Sequence, residues 1–401
     1  MINTQNIAHF KSCKGFSLVD VMVGMVVGLI TMLIIMQSYA AFEGQKRTST
    51  SGMEALENGL IALHALETDI RQAGFGLTTN GFLACTSVNT YNSASTPTTA
   101  SGVSLVPIQI KDGGAGSDSI IITYSTSSTG GIPAHIVVAM PDSSAVLTVD
   151  LGNVFTPGDI LYVATPGSAL PCTRLVATSS NTTANGVNIV HNSGLSNYNP
   201  PGGSNIFPSG GYGTNAVVLN LGTMVQNRYD VFSPCYSLTA TDLTTSTAAR
   251  GCTNTSTFTG GAVPISSNIV SIQAQYGIAS PPALNQSVYC WVNATNGGNS
   301  NCSAADNADN WLAPVAANVA RIKAVRVAVV ARSSLKERPS TPGGVCDATP
   351  SASAPNYPQW AGGAIDVTKN PDGTANADWM CYRYKVYQTT IPLRNIMWAN
   401  I

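Results

Sequence analysis

The chain has 401 residues, a formal net charge of −1 and only 10% charged residues. This length allows one large domain or two modest ones. The balanced charge supplies no basic surface, so nucleic acid is not expected among the partners. Ser, Thr, Asn and Gly dominate beyond residue 80, and short runs rich in Val and Ile recur between them. This pattern is typical of a loop-rich β structure.

The first predicted element is an apolar helix over residues 16–36, in which Asp20 is the only charged side chain. A helix of about 20 such residues crosses a bilayer. Lys11 and Lys14 precede it, and no Lys or Arg follows before Lys46. The basic side is therefore expected to stay in the cytoplasm, with the bulk of the chain exported.

An ordinary secretory signal is one alternative, because residues 37–40, QSYA, end in a small-x-small pattern that a leader peptidase accepts. Two features argue against it. The apolar run is longer than the usual core of about 7 to 15 residues, and a disposable core has no use for the cost of a carboxylate at Asp20.

The stretch resembles a type IV prepilin signal, in which a short basic leader ends in Lys14-Gly15 and FSLVD follows from Phe16. The resemblance implies that a prepilin peptidase cuts between Gly15 and Phe16 on the cytoplasmic face and N-methylates Phe16. The leader, residues 1–15, would be removed. Residues 16–38 would stay on the mature protein as a transmembrane helix that later enters the filament core.

Asp20 stands where members of this family usually carry Glu. The resemblance implies that its carboxylate docks on the methylated amine of a neighbouring subunit in the membrane, where an unpaired charge is expensive. A simpler role is a cap at the positive end of the helix dipole, but a cap needs no burial in an apolar run. Gly24 and Gly28 form a G-x-x-x-G that lets another helix approach closely, although Gly is common in membrane spans in any case.

Residues 39–75 are predicted to form a periplasmic amphipathic helix, weakened near Gly44 and restarted by a capping box at Ser51 and Glu54. Gly74 or Gly76 is expected to end it in a left-handed conformation. One apolar stripe is expected to pack on the globular domain, formed by Leu56, Leu60, Leu63, Leu66 and Ile70. The other side is expected to face solvent or adjacent subunits, with Glu57, His64, Asp69 and Arg71.

The run LETDIRQAGF at residues 66–75, with Cys85 about ten residues further on, resembles the PilW family of minor pilins. The J class of type II secretion pseudopilins shares the general plan. Three C-terminal stretches strengthen the resemblance to PilW: a predicted strand at 268–277 ending in QYG, a strand at 322–332 containing VRVAVVAR, and a closing strand at 382–395 ending in PLRN.

Residues 76–401 are expected to form a β-rich periplasmic domain, with two lobes at about 76–232 and 263–401. The predicted strands before the C-terminal stretches are 119–124, 135–140, 146–149, 159–164, 174–178, 187–191 and 216–232, the last broken near Gly222. Surface loops are expected at 89–102, 194–214 and 237–262, because these segments are rich in Ser, Thr, Gly and Asn.

Cys13 lies in the leader, which leaves eight cysteines in the mature chain. An even number in an exported chain favours disulfides and the periplasm. Eight cysteines allow about 105 connectivities, so the choice of near neighbours is a guess. It pairs Cys235 with Cys252, Cys290 with Cys302, Cys346 with Cys381, and Cys85 with Cys172. No Cys or His spacing fits zinc.

The sequence has no G-x-S-x-G, H-E-x-x-H, Walker loop or G-x-G-x-x-G. His135 and His191 are expected to be structural, so the protein is not expected to be an enzyme or to bind a cofactor. The acidic segments Asp306/Asp309 and Asp372/Asp378 match no EF-hand and are expected to be solvated turns rather than calcium sites. Tryptophans sometimes form sugar-binding platforms, but burial in the core is the commoner outcome for Trp291, Trp311, Trp360, Trp379 and Trp398.

The expected fold is therefore α+β and type IV pilin-like, with a long N-terminal helix packed on a large β-rich, disulfide-containing domain. The expected function is that of a minor pilin in the inner membrane, with a cytoplasmic N-terminus and a periplasmic C-terminal domain, which helps to initiate type IV pilus assembly and enters the pilus at or near its tip. Implied partners are other minor pilins, the major pilin, the prepilin peptidase and a tip adhesin. The alternatives are a type II secretion pseudopilin and a secreted adhesin or hydrolase with an ordinary signal.

Overall fold

The structure is a computed structural model in which the chain divides into two compact units, Met1–Met53 and Glu54–Ile401. The structure describes residues 15, 17–77, 88–92, 95–98, 105–127, 131–142, 146–151, 155–168, 170–196, 198–201, 206–244, 248–253, 257–281, 285–295, 302–341, 343–350 and 358–398. Two residues named in the predictions lie outside these described residues: Phe16 of the cleavage site, and Cys85 of the predicted Cys85–Cys172 disulfide.

The longest element is helix α1, Leu18–Gln72, which has 55 residues. It runs without a break through Gly44 and through Ser51 and Glu54, so the predicted restart at a capping box is wrong. The segment contains no proline, and its isolated glycines each cost only about 1 kcal/mol of helix propensity. Gly74 and Gly76 follow the helix with φ of 79° and 71°, which confirms the predicted left-handed end.

The rest of the described chain is mainly β structure, with three further α-helices, α2 (Ala304–Ala308), α3 (Ala316–Val319) and α4 (Arg394–Trp398), and a short 3₁₀ turn, Trp379–Cys381. The strands are β1 (Val88–Asn92), β2 (Ser95–Thr98), β3 (Ile108–Lys111), β4 (Ser119–Tyr124), β5 (Ala134–Val138), β6 (Val146–Val149), β7 (Ile160–Ala164), β8 (Cys172–Val176), β9 (Ser179–Thr183), β10 (Gly186–Val190), β11 (Val217–Asn220), β12 (Val225–Phe232), β13 (Ser237–Asp242), β14 (Gly251–Cys252), β15 (Phe258–Thr259), β16 (Val263–Ser267), β17 (Ile269–Ile278), β18 (Cys290–Val292), β19 (Ile322–Arg332), β20 (Gln359–Trp360), β21 (Gly363–Ala364) and β22 (Tyr384–Pro392).

Several predicted strands agree with these bounds, including β4, β6 and β19, and the predicted break lies at Gly222, which has a φ of 57°. Three predictions are wrong. The supposed loop at 89–102 contains β1 and β2, and the supposed loop at 237–262 contains β13, which is buried between β12 and β16. The closing strand stops at Pro392, and the chain then turns into α4.

The strands form three larger sheets and two small hairpins. The largest has the order β2-β1-β8-β7-β11-β5-β6-β10-β9, and the second has the order β16-β13-β12-β4-β3. The third, called here the C-terminal sheet, has the order β18-β17-β19-β22. Its long central pairing is antiparallel, with Ala274 opposite Val327 and Val327 opposite Thr389.

The main core lies between the second half of α1, the second sheet and the inner face of the C-terminal sheet. Leu66 and Ile70 of α1 share it with Val325, Val327 and Val329 of β19, as the period-two pattern of that strand predicts. Ala328 and Val330 point to the outer face and pack in a separate cluster with Ile365 and Val367. The large sheet has its own apolar clusters, to which α1 contributes no residue.

Three of the predicted disulfides are confirmed: Cys235–Cys252, Cys290–Cys302 and Cys346–Cys381. Each closes a local loop of the β-rich region. The predicted fold class is confirmed as well, because a long apolar N-terminal helix and a large β-rich domain with disulfides make up the chain.

Candidate functional site on helix α1

The first half of α1 presents large apolar side chains to its surroundings. Those between Leu18 and Met36 are 47% to 75% exposed. The helix contains a window with a mean hydropathy of 2.6, none of which is buried. Apolar exposure on this scale is a liability in water and marks a surface for lipid or protein. By length and composition α1 is the one helix in the described residues that can cross a membrane.

Asp20 lies in the first turn of α1. The Ser17 backbone N–H donates to Asp20 Oδ2 at 3.3 Å, and the Val19 N–H donates to Ser17 Oγ, also at 3.3 Å. These two bonds form a reciprocal cap in which Asp takes the place of Glu. The capping role is therefore present in the single chain, and docking of Asp20 on a neighbouring amine stays a prediction.

Gly24 and Gly28 leave a shallow strip on the same helix. A Cβ atom added at either position would meet nothing within 4 Å. Such an open strip suits the close approach of a second helix. Gly15, the other residue of the predicted cleavage site, is exposed.

The second half of α1 packs through the predicted stripe at Leu63, Leu66 and Ile70, but not through its first two residues. Leu56 and Leu60 of the predicted stripe are 43% and 49% exposed, so the prediction is wrong for both. The buried line, called here the packing face, is formed by Ala55, Gly59, Ala62, Leu66 and Ile70.

Small residues on the packing face let the helix backbone approach the C-terminal sheet. A Cβ atom on Gly59 would lie 2.2 Å from Cε2 of Tyr387 on β22. Two polar contacts add to this attachment: Ser266 Oγ on β16 of the second sheet donates to the Asn58 carbonyl at 2.8 Å, and Ser334, which follows β19, bonds to Glu54. The face of the helix that is buried is therefore the one whose small residues allow close packing, and not the one with the most leucines.

Asp69 was expected to face solvent, but it lies against the second sheet. Its carboxylate accepts bonds from Tyr229 Oη at 2.6 Å, Asn227 Nδ2 at 2.9 Å and Tyr124 Oη at 3.3 Å. Burial, and then the Asp69 charge, raise the pKa of Tyr124 to about 12 and raise that of Tyr229 further. Both phenols therefore remain donors and fix the last turns of α1.

The C-terminal end of α1 is capped by the end of the chain. Asn395 Nδ2 donates to the carbonyls of Gln72 and Ala73, both at 3.2 Å, which satisfies groups that a helix end leaves open. Leu393 and Ile396 on either side of it are fully buried. The PLRN stretch therefore has a physical role, which is to hold the helix end on the C-terminal sheet.

The QYG stretch supports the same sheet. Tyr276 is fully buried in the main core, and its Oη accepts a bond from the Ile110 N–H of β3. Gly277 lies beneath Trp291, whose ring atoms would be 2.8 Å from an added Cβ. Any larger residue at Gly277 would displace the indole.

Neither acidic pair belongs to a group of three or more His, Cys, Asp or Glu side chains that is placed to hold a metal among the described residues. Asp306 is buried and pairs with Arg321, so the prediction of a solvated turn is wrong there. Asp309 accepts from Asn318, Asp372 from Thr374, and Asp378 pairs with Lys336.

The remaining singled-out side chains have structural surroundings. His191 is buried with its ring centroid 5.4 Å from that of Phe207, and burial lowers its pKa to about 4. His135 is exposed. Trp311 is buried in the main core, whereas Trp291, Trp360 and Trp379 are only partly buried.

Sequence reasoning missed Gly59, Asp69 and Asn395 as the residues that fix α1. The one available signal was the line of small residues at Ala55, Gly59 and Ala62, which follows helical spacing as well as the leucines do. Nothing in the local sequence of Asp69 or Asn395 distinguishes them from exposed residues.

These features define a class of protein: one apolar N-terminal helix, free along its first half and fixed along its second half to a disulfide-containing β domain. Residues 236–395 match the family model of PilW, described as type IV pilus-assembly protein W. This stretch of the chain is thus similar to PilW, and the similarity supports a part in type IV pilus assembly. The match lies in the part that contains β17, β19, β22 and Asn395. Comparisons with curated proteins and with solved structures gave no match.

Proposed function

We propose that the protein is a minor pilin that helps to initiate type IV pilus assembly, within an inner-membrane complex of minor pilins that enters the pilus at or near its tip. The observation that carries this proposal is the exposed apolar first half of α1, from Leu18 to Met36, on a chain whose C-terminal region matches PilW. Such a surface is stable in lipid, and it is equally stable against other helices.

The proposed path begins at the membrane. The N-terminus lies in the cytoplasm and the β-rich domain in the periplasm, as Lys11 and Lys14 favour. The prepilin peptidase removes residues 1–15 and methylates Phe16. When the subunit leaves the bilayer, α1 exchanges lipid for the helices of other minor pilins or of the major pilin. A tip adhesin is a further proposed partner. The role is assembly, and no catalytic step is assigned to the chain.

Gly24, Gly28 and Asp20 give this exchange its specificity. The open strip at Gly24 and Gly28 permits close approach of a neighbouring helix. Asp20 would release the Ser17 N–H, a bond of 3.3 Å, and accept the methylated amine of the neighbour instead. A charge-assisted bond in an apolar filament core is stronger than the cap that it replaces.

Substitutions at Asp20 and Ser17 separate docking from capping. We expect Asp20→Asn to leave cleavage intact and to reduce surface pili severely, whereas Asp20→Glu keeps them. Ser17→Ala is the matched control, because it removes the cap to Val19 and leaves the carboxylate. Pili per cell are counted by electron microscopy in a deletion strain that expresses each variant. Cleavage is followed by the electrophoretic mobility of the protein.

Equal piliation in Asp20→Asn and wild type would leave only the capping role. The same deletion strain distinguishes the pseudopilin alternative. A strain that keeps its pili but fails to secrete type II substrates would assign the protein to secretion instead.

A further inference from the structure

The outer face of the C-terminal sheet carries a cleft that the assembly role does not use. Arg326 on β19 points away from α1, because its neighbours Val325 and Val327 point into the main core. Beside it lies a cleft of about 260 Å³, lined by Arg326, Val327, Trp360, Ala361, Gln388, Thr389 and Thr390. The cleft is open to solvent on the side opposite the helix-packing core.

The guanidinium of Arg326 lies close to the faces of two indole rings. Its Cζ lies 4.7 Å from the ring centroid of Trp291 and 5.5 Å from that of Trp360. Its Nε donates to Gln275 Oε1 at 2.6 Å. Two stacking partners and this bond fix the orientation of the group, so little side-chain entropy remains to be lost when a ligand binds.

The charge of Arg326 has no counter-charge among the residues that the structure describes. Five other arginines of the described chain pair with carboxylates: Arg71, Arg228, Arg250, Arg321 and Arg383. Arg326 forms no ion pair with any described residue, and its two Nη atoms make no hydrogen bond there. Burial lowers its pKa, but an arginine stays charged in proteins. A half-buried cation with two free donors is suited to an incoming oxyanion, and a carboxylate fits its fork.

The rim of the cleft is polar and fixed in place. Gln388 Oε1 accepts from the Ala361 N–H at 2.8 Å, which ties the β20–β21 hairpin to β22. The Gln388 amide nitrogen makes no hydrogen bond within the described residues, and Thr390, directly opposite Arg326, is exposed. The hairpin is continuous with the outer cluster that contains both Cys346 and Cys381, joined as a disulfide.

We propose that this cleft binds the carboxylate of an acidic sugar residue, such as a uronic or sialic acid, with Arg326 as the anion-binding group. A small sugar ring presents a carboxylate to Arg326, hydroxyls to Gln388 and Thr390, and C–H groups to the edge of Trp360. A peptide carboxylate would use Arg326 and leave the hydroxyl-binding rim unpaired, which lowers affinity for that class. This site is independent of the proposed role in pilus assembly.

The test uses the full chain with its disulfides intact, purified in detergent micelles. Isothermal titration calorimetry would measure binding of sialyllactose and of a galacturonate trisaccharide. The probes for comparison are lactose, the methyl ester of the trisaccharide, and N-acetylglutamate amide. We expect millimolar or tighter binding of at least one acidic sugar, with at least about tenfold weaker binding of its neutral counterpart, because the charge-assisted bonds are lost.

Variants locate the site. Arg326→Gln should weaken binding of the acidic sugar by about tenfold or more. Arg338→Gln, which removes the same charge from an exposed position, should leave it unchanged. Thr390→Val, a substitution that suits a strand, should weaken binding by about two- to tenfold and keeps the test valid if Arg326→Gln fails to fold.

Five results would overturn the proposal. The first four are no binding of either acidic sugar, equal binding of the neutral probes, equal loss in Arg326→Gln and Arg338→Gln, and unchanged binding in Thr390→Val. Binding of N-acetylglutamate amide as tight as that of the acidic sugars would assign the cleft to peptide carboxylates and would overturn the sugar assignment.

Discussion

The two halves of α1 are one continuous helix with opposite surfaces. In the first half, Leu33 is 62% exposed and resembles every large apolar neighbour from Leu18 to Met36. In the second half, Leu66 is fully buried although the helix there is more polar overall. The large apolar side chains of the first half are exposed, whereas the second half is held by Tyr387 beside Gly59, by the partners of Asp69 and by Asn395.

This difference teaches that apolar content alone does not decide burial inside this chain. The apolar first half is left free for an environment outside the chain, whereas the second half is bound by a narrow line of small residues. A helix that must leave lipid and join a filament needs both properties, a free surface and a firm attachment. The stability of the β domain should therefore be sensitive to substitutions on the attached second half and insensitive to substitutions on the free first half.

The largest expected effect separates a buried from an exposed leucine within the second half of α1. Leu66→Ala should lower the free energy of unfolding of the β domain by about 2–5 kcal/mol, because it leaves a cavity in the main core. Leu60→Ala, one and a half turns away and half exposed, should cost less than about 1 kcal/mol. Thermal or urea unfolding of the full chain in detergent, followed by near-ultraviolet circular dichroism, measures both.

Leu33→Ala extends this comparison to the first half and should leave the unfolding of the β domain unchanged. An equal loss of stability in Leu60→Ala and Leu66→Ala would mean that Leu60 is buried as well and would contradict the structure.

The second effect is the pH dependence of stability that Asp118 causes in the sheets that hold the second half of α1. Asp118 is buried, its carboxylate accepts from the Gly113 and Ala274 N–H groups at 3.0 and 2.8 Å, and burial raises its pKa from 3.8 to about 7. The folded state thus holds this proton more tightly than the unfolded state. Stability from Asp118 is complete below pH 3.8 and is lost as pH rises toward about 7, by roughly 2–4 kcal/mol.

His191, in the large sheet, should act in the opposite direction. Burial lowers its pKa from 6.5 to about 4, so its contribution is complete above pH 6.5 and is lost as pH falls toward about 4. Between about pH 4 and pH 7, the stability of Asp118→Asn should rise with pH, because the contribution of His191 remains. The stability of His191→Gln should fall with pH, because the contribution of Asp118 remains. Parallel pH curves for wild type and Asp118→Asn would exclude a buried, proton-binding Asp118.

The smallest expected effect is at the capped end of α1. Asn395→Ala should cost about 1 kcal/mol, because it removes the donor to the Gln72 and Ala73 carbonyls. Asn395→Asp should cost more, since a carboxylate repels the carbonyls and the negative end of the helix dipole. Hydrogen exchange would show faster exchange of amides in the last turns of α1. An Asn395→Asp variant as stable as wild type would rule out this cap.

The sequence predicted the elements whose signal is local. The apolar helix, the strand at 322–332 with its two faces, the positive φ at Gly74 and the three nearest-neighbour disulfides are all confirmed. Each depends on periodicity, on residue type or on short chain separation. The match of residues 236–395 to PilW also agrees with the C-terminal resemblance.

The contacts that position α1 are not local, and the sequence did not predict them. Asp69 meets Tyr229 across 160 residues, and Asn395 reaches Gln72 across 323. The buried strand β13 looked like a loop because it is rich in Ser, Thr and Asp. Its strand conformation depends on pairing with neighbouring strands on both sides, and the local sequence does not show those partners. The leucine stripe failed at Leu56 and Leu60 for a related reason. The helix approaches β22 most closely at Gly59 because Tyr387 lies there, and the sequence of the helix does not show this.

The central claim is that the first half of α1 stays on the mature protein as a pilin helix. Mass spectrometry and N-terminal sequencing of the mature protein, isolated from sheared pili and from inner membranes, test it most directly. The account predicts a first residue of N-methylated Phe16. A mature protein that begins at Ala41, without residues 16–40, would contradict it.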